Sequence, residues 1–270
     1  MSCNICGGKV SQAFTAEVLR KYQVAYFRCD SCGFIQTETP YWLPESYASA
    51  INEIDLGPVN RAVTGSDLVE GVILSMFDKD ASFIDFGAGY GVFVRMMRDR
   101  GFDFYWHDRY CENLFAKHFV ARPDTTFELL TAFEVFEHLP NPLAEIEEML
   151  GYSKNLLFST QLVPEGMQAA GDWWYFAPEH GQHVSFYTVE ALKVVAKAFN
   201  LFLATDGVGT HLLSQRPVSN RLFRFFVANG VQAKLARRLL RRSLRVKSRR
   251  LDDFQAVSGL DVHKSPLPRR

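Results

Sequence analysis

Residues 83–93 read Phe-Ile-Asp-Phe-Gly-Ala-Gly-Tyr-Gly-Val-Phe: a short apolar strand, a turn holding three glycines, then the start of a helix. Lacking a Cβ, Gly87, Gly89 and Gly91 let the backbone turn tightly and approach a ligand closely. Asp85 closes the strand. A dinucleotide fingerprint requires glycine where Val92 stands and seats its phosphates on the helix N-terminus. A carboxylate beside such a turn repels a pyrophosphate and suits a cationic ligand.

Two later segments extend the pattern. Phe102–His107 reads as a second strand ending at Asp108, seventeen residues past Gly91, where an acid can accept both hydroxyls of a ribose. Residues 126–142, TFELLTAFEVFEHLPNP, read as a strand followed by a proline-closed loop. The glycine pattern DxGxGxG resembles motif I of the class I S-adenosylmethionine-dependent methyltransferases. The second segment resembles the fourth strand and loop of their small-molecule branch. The resemblance implies S-adenosylmethionine as cofactor, held by Asp85, Gly87, Gly89, Gly91 and Asp108, with Phe133, Glu134 and His138 beside it.

Near the N-terminus, Cys3 and Cys6 are separated from Cys29 and Cys32 by 22 residues, giving two CxxC pairs, each followed by a glycine. Four thiolates so spaced suit a tetrahedral zinc ion. Fewer than 40 residues build no stable core alone, so a metal is expected to supply folding energy, with the zinc structural and remote from the chemistry. The fifth cysteine, Cys111, reads as an idle thiol.

Beyond the glycine turn, strands and helices alternate to about residue 216, the order of a doubly wound parallel sheet. Ser66–Phe77 is predicted as the helix before the turn, capped by Ser66. A short helix is expected between the second strand and residue 126. Leu201–Thr205 and His211–Gln215 read as a closing hairpin, which resembles the terminal antiparallel strand of the methyltransferase sheet. The expected fold class is therefore α/β, Rossmann-like and doubly wound. It divides into a zinc ribbon over 1–40, a connector over 41–65, a cofactor-binding domain over 66–216 and a basic helical tail over 217–270. In the connector, Asp55–Arg61 could reach the cofactor's carboxylate through Arg61.

Between the fifth strand and its helix lies 161–188, rich in aromatics (Trp173, Trp174, Tyr175, Phe176) and in groups that move protons. Ligands of open parallel sheets bind beyond the carboxyl ends of the strands, which puts this loop over the site. Aromatic faces suit a sugar or a sulfonium, and Glu179, His180 and His183 are the candidate general bases. The four-cysteine module and the Glu179–His180 pair resemble the sugar C-methyltransferases, although those carry a further C-terminal domain. The resemblance implies a small, sugar-like acceptor.

Formal net charge is zero, but residues 1–215 hold 15 basic and 27 acidic residues whereas 216–270 hold 15 and 3. The tail, Ser219–Leu251, reads as a basic amphipathic helix for an anionic membrane surface, or for docking on the acidic body or at a dimer seam. Lys264–Arg270 reads as disordered. A nucleic-acid or protein modifier is the competing class; the near-balanced charge of the ribbon disfavours it. No run of about 18 apolar residues and no apolar leader is present, so a cytoplasmic enzyme is expected.

Overall fold

The computed structural model describes residues 1–47 and 57–260. Along the chain run β1 (Val10–Val18), β2 (Tyr22–Cys29), β3 (Ile35–Thr37), α1 (Leu43–Ser46), α2 (Pro58–Met76), β4 (Ser82–Phe86), α3 (Val92–Asp99) and β5 (Asp103–His107). There follow β6 (Leu129–Ala132), α4 (Pro142–Tyr152), β7 (Leu156–Ser159), β8 (Ser185–Phe186), α5 (Val189–Ala198), β9 (Phe202–Thr205), β10 (Thr210–Ser214), α6 (Asn220–Val227), α7 (Val231–Ser243) and α8 (Arg250–Ser258). Of the described residues, 1–47 and 129–224 form one compact unit and 57–128 and 225–260 the other. Asp55 and Leu56 of the expected connector, and Lys264–Arg270, lie outside the described residues.

In the first unit β6 and β7 run parallel, Leu130 opposite Leu156, and β10 lies antiparallel to both β7 and β9. The predicted closing hairpin is therefore present. A second, smaller sheet in this unit has the order β1-β2-β3-β8. Its last strand comes from the late loop, Ile35 pairing with Phe186, so the cysteine ribbon is completed by residues far along the chain. Val24, Tyr26, Ile35 and Trp42 share a core with Tyr175, Phe176 and Phe186. Most of the late aromatic run is thus packing; only Trp174 stays largely outside, at 78% exposure. The indole of Trp42 donates to Gly181 O at 2.8 Å, and Leu19 N donates to Pro178 O at 2.9 Å. The cysteine knuckles themselves touch Pro140 and Thr188, through Asn4 Nδ2 and Cys32 O. An edge strand with open hydrogen bonds thus finds its partner in the late loop.

In the second unit β4 and β5 pair in parallel from Ser82–Asp103 to Phe86–His107. Helix α2 starts at Pro58, eight residues before the predicted cap, because a proline at the first helical position is preset for the helix and loses no needed N–H. Ser66 is buried within it and donates to Val63 O. Between Asp108 and Glu128 no helix forms, only an isolated bridge of Trp106 with Val120. The basic tail is helical but in three pieces, and its inner face is docked. Arg237 crosses Gly71 of α2, where a Cβ would stand 2.8 Å from its Cδ, and donates to Phe226 O. Arg241 pairs with Glu70 at 2.6 Å. No described helix is long and apolar enough to cross a membrane.

A deeply buried ionic contact of this unit joins Arg98, 3% exposed, to Asp253 of α8 and Asp103 of β5, each at 2.7 Å. Burial works against the Asp253 charge, but the Arg98 guanidinium holds its carboxyl below the usual 3.8. Asp253→Asn leaves a buried guanidinium short of one partner and should lower unfolding free energy by about 3 kcal/mol in urea denaturation. The wild-type advantage is present above pH 3.8 and disappears on acidification through the depressed value.

Candidate functional site

The glycine turn belongs to the second unit. Gly87, Gly89 and Gly91 all have positive φ, which admits glycine without strain. Gly91 heads α3, and a Cβ there would come within 2.9 Å of Asn113 Oδ1 and 3.3 Å of the Ala116 backbone. Gly89 is different: nothing lies within 4 Å of the place a Cβ would take, so the bend faces open space. The second strand holds the turn in this shape. Gly87 N and Ala88 N donate to His107 O, and Trp106 Nε1 donates to Gly89 O at 2.7 Å. Asp108 accepts from Gly89 N at 2.8 Å with one oxygen and from Tyr110 N and Cys111 N with the other. Asp85 is buried at the end of β4, opposite Trp106. Burial and the Asp108 charge push the Cys111 thiol up to about 11, which agrees with an idle thiol.

The second constellation belongs to the first unit and follows β6. Glu134 sits at φ 54, a left-handed conformation rare for a carboxylate residue, and is fixed there by Ser159. Its N–H donates to the Ser159 hydroxyl at 2.9 Å, and that hydroxyl donates to its carboxylate at 2.6 Å. Strain of this kind persists where the surroundings enforce it. Phe133 is half-buried alongside. Glu137 is fully buried and neither carboxyl oxygen has a hydrogen bond. The buried hydroxyls of Thr160 and Tyr175 are also unpaired. Both hydroxyls stand close enough to Glu137 to favour its ionised form, yet none of these four oxygens reaches full hydrogen-bond geometry with another. Burial, then the Glu134 charge, drives the Glu137 carboxyl well above the usual range.

His138 and His183 flank it, their rings 5.0 Å apart. His138 Nδ1 is 2.9 Å from the Tyr47 hydroxyl and its Nε2 is 3.9 Å from Glu137 Oε1. His183 Nδ1 lies 2.6 Å from Tyr175 O; a carbonyl only accepts, so the proton is on Nδ1 and Nε2 is free to take another. Burial lowers both imidazoles, His183 to about 4, and His180 is near enough that its charge would lower them further. Both are neutral at pH 7. Of the three predicted bases, His183 is in this cluster, His180 adjoins it and Glu179 lies on the surface.

Sequence reasoning passed over Glu137, Thr160, Tyr175 in its polar role and Tyr47. The only signal available was position: Glu137 is fixed in the same short turn as His138, and Thr160 ends β7.

The sulfurs of Cys3, Cys6, Cys29 and Cys32 all lie within 4.8 Å of one another, with Cys3–Cys32 at 3.7 Å and Cys6–Cys29 at 3.4 Å. A tetrahedron with metal–sulfur bonds of about 2.3 Å has edges of about 3.8 Å, so the four fit one ion. Backbone amides of Ile5, Gly8 and Ser31 point at the sulfurs at 3.4 Å each. The Cys32 thiol draws Cys3 down to about 5.

Residues 66–205, just over half the chain, match the sequence profile described as a methyltransferase domain. The chain belongs to that methyltransferase family. Solved structures with similarity include an O-methyltransferase family 2 protein from Planctomyces limnophilus in complex with apigenin (10% identity, TM-score 0.44, 63% of each chain covered). Others are magnesium protoporphyrin IX methyltransferase from Synechocystis with bound SAH (10%, 0.44, 63% of this chain and 90% of that one) and a calicheamicin-biosynthesis methyltransferase with SAH (13%, 0.44, 65% and 60%). The chain thus spans less than two thirds of the first and third of these. No protein of curated function matches the sequence.

Because His183 falls from the ordinary 6.5 to about 4, the folded chain binds fewer protons there than the unfolded one between those values. Stability should therefore rise with pH across that window and fall on acidification. Urea midpoints at pH 4.5 and 7 should differ less in His183→Asn than in the wild type.

Proposed function

We propose that this enzyme methylates a small hydroxyl-bearing acceptor of the sugar or glycan-precursor class, and that the Glu137–His138–His183 cluster removes the acceptor's proton. The observation that carries the reading is the group of buried, unpaired oxygens on Glu137, Tyr175 and Thr160 beside two neutral imidazoles. Unpaired buried polar atoms cost free energy, and an acceptor's hydroxyls are the partners that remove that cost. The late-loop resemblance to sugar C-methyltransferases supports the same acceptor class. Glu179 is exposed and is replaced in this assignment by Glu137 and His183.

The glycine turn fits S-adenosylmethionine: Gly89 leaves open space, and Asp108 Oδ2, which accepts from Gly89 N, keeps a further lone pair for a ribose hydroxyl. When bound, that cofactor supplies an electrophilic methyl group. This chain's residues orient the acceptor and take its proton, with His183 Nε2 as the accepting atom and the Glu137 carboxyl as a hydrogen-bonding partner for the acceptor. Phe133, Glu134 and His138 belong to the proposed ligand-contacting loop. Calorimetry should show binding of S-adenosylmethionine, weakened at least a hundredfold by Gly89→Val, which places a branched side chain at positive φ. Glu137→Gln and His183→Ala should leave that binding unchanged and lower turnover of the acceptor roughly 10²- to 10⁴-fold. Absence of heat with the wild type overturns the cofactor assignment; unchanged turnover in both variants overturns the base.

The cysteines are assigned to a structural zinc. All five are free thiols, which supports a reducing, cytoplasmic setting, peripheral to the inner membrane face through the basic tail. Elemental analysis should find one zinc per chain. Cys29→Ser should lose it and melt several degrees lower, since metal binding energy is folding energy here.

A further inference from the structure

The arginines of the tail fall into two sets. Arg237, Arg241 and Arg249 are spent inside the second unit, on the Phe226 carbonyl, on Glu70 and on Asp103 respectively. Arg238, Arg242, Arg245 and Lys247 have no carboxylate partner among the described residues, and all four are exposed. These four, with Arg241 and Val246, line a cavity of about 440 Å³ at the end of α7. Cations crowded without counter-charge repel one another, so something must favour keeping them together.

The cavity is also held in shape. Its wall at Arg241 is tied to Glu70. The turn after α7 places Arg245 at φ 52, with Val246 N donating to Arg241 O. Lys247 O presses on Gly101, where a Cβ would stand only 2.1 Å away, and Arg249 N donates to Arg98 O. The backbone that carries these four cations is therefore pinned to the second unit on both sides of the turn.

We infer that this cavity is a binding site for a phosphate group, in which Arg238, Arg242, Arg245 and Lys247 supply charge-assisted hydrogen bonds to the phosphoryl oxygens. Planar guanidinium forks match such oxygens in pairs. The site lies outside the methyl-transfer machinery and stands or falls independently of it. Two sources share this chemistry: the headgroup of an anionic lipid and a soluble phosphate or diphosphate ester. Val231, Leu235 and Leu239, all well exposed, share the outward side of α7 with Arg238 and Arg242, the arrangement of an interfacial helix, and favour the lipid.

The test uses the full-length protein at low salt in two arms: co-sedimentation with phosphatidylglycerol-containing vesicles against pure phosphatidylcholine vesicles, and calorimetric titration with inorganic pyrophosphate. Arg238→Gln/Arg242→Gln is compared with Arg250→Gln, an exposed arginine that does not line the cavity. Binding in either arm, weakened about thirtyfold for vesicles by the double variant but not by Arg250→Gln, supports the site, with added salt weakening it further. Vesicle binding names the lipid source; pyrophosphate binding alone names the soluble one. No binding in both arms, or equal binding by the double variant and the control, overturns the proposal. Thermal melting of the unliganded variants should match the wild type, because neither side chain holds a partner to lose.

Discussion

The glycine turn holds its shape through the end of β5, and Asp108 makes the most contacts there. A stretch with three positive-φ residues has many conformations, and fixing it costs backbone entropy. Asp108 meets that cost with three charge-assisted contacts, to the amides of Gly89, Tyr110 and Cys111, while Trp106 secures the Gly89 carbonyl from the same strand. The parallel register of β4 and β5, with Phe86 opposite His107, is what sets this carboxylate against the loop. Strand pairing, loop shape and ligand-facing bend are therefore one linked arrangement, and a slip of one residue in the register would undo all of them.

The other constellation runs on the opposite logic. Around Glu137 the fold leaves polar atoms unsatisfied that ordinary packing would pair, and it places a carboxylate residue, Glu134, in a left-handed conformation beside them. Such features lower stability, and they persist because Ser159, Tyr47 and the Tyr175 carbonyl over-determine the positions of the side chains involved. Burial keeps the Glu137 carboxyl high and the histidines low, so at neutral pH the cluster holds neutral imidazoles rather than fixed ion pairs.

How much of this was legible in sequence follows from range. The glycine turn, Asp85 and Asp108 are local or separated by one strand and helix, and the structure places them together as their spacing implied. The four cysteines were legible because thiolate pairs at that spacing have few uses. Less local features were not. Ser66 reads as the cap of the helix before the turn, yet the helix starts at Pro58, since a proline's role depends on which residue comes first in the helix. The late aromatics read as a ligand platform, but Tyr175 and Phe176 are core, because the ribbon they cover is 140 residues earlier and no periodicity records that pairing. Glu137 stands three residues after Glu134 with nothing in the text to tell them apart, and burial is what separates them.

The ribbon's role can be argued one step further from Thr188. Its hydroxyl donates to Cys32 O in the second knuckle and also accepts from Ala191 N, capping α5. The same threonine crowds Gly33, where any Cβ would stand 3.1 Å from its methyl. Five residues earlier in the same connection is His183. The cysteine knuckle is therefore joined through one side chain to both the helix that follows the late loop and the segment that carries the histidine, and β8 between them is hydrogen-bonded to β3. Whatever rigidifies the four cysteines therefore also rigidifies the segment that carries His183.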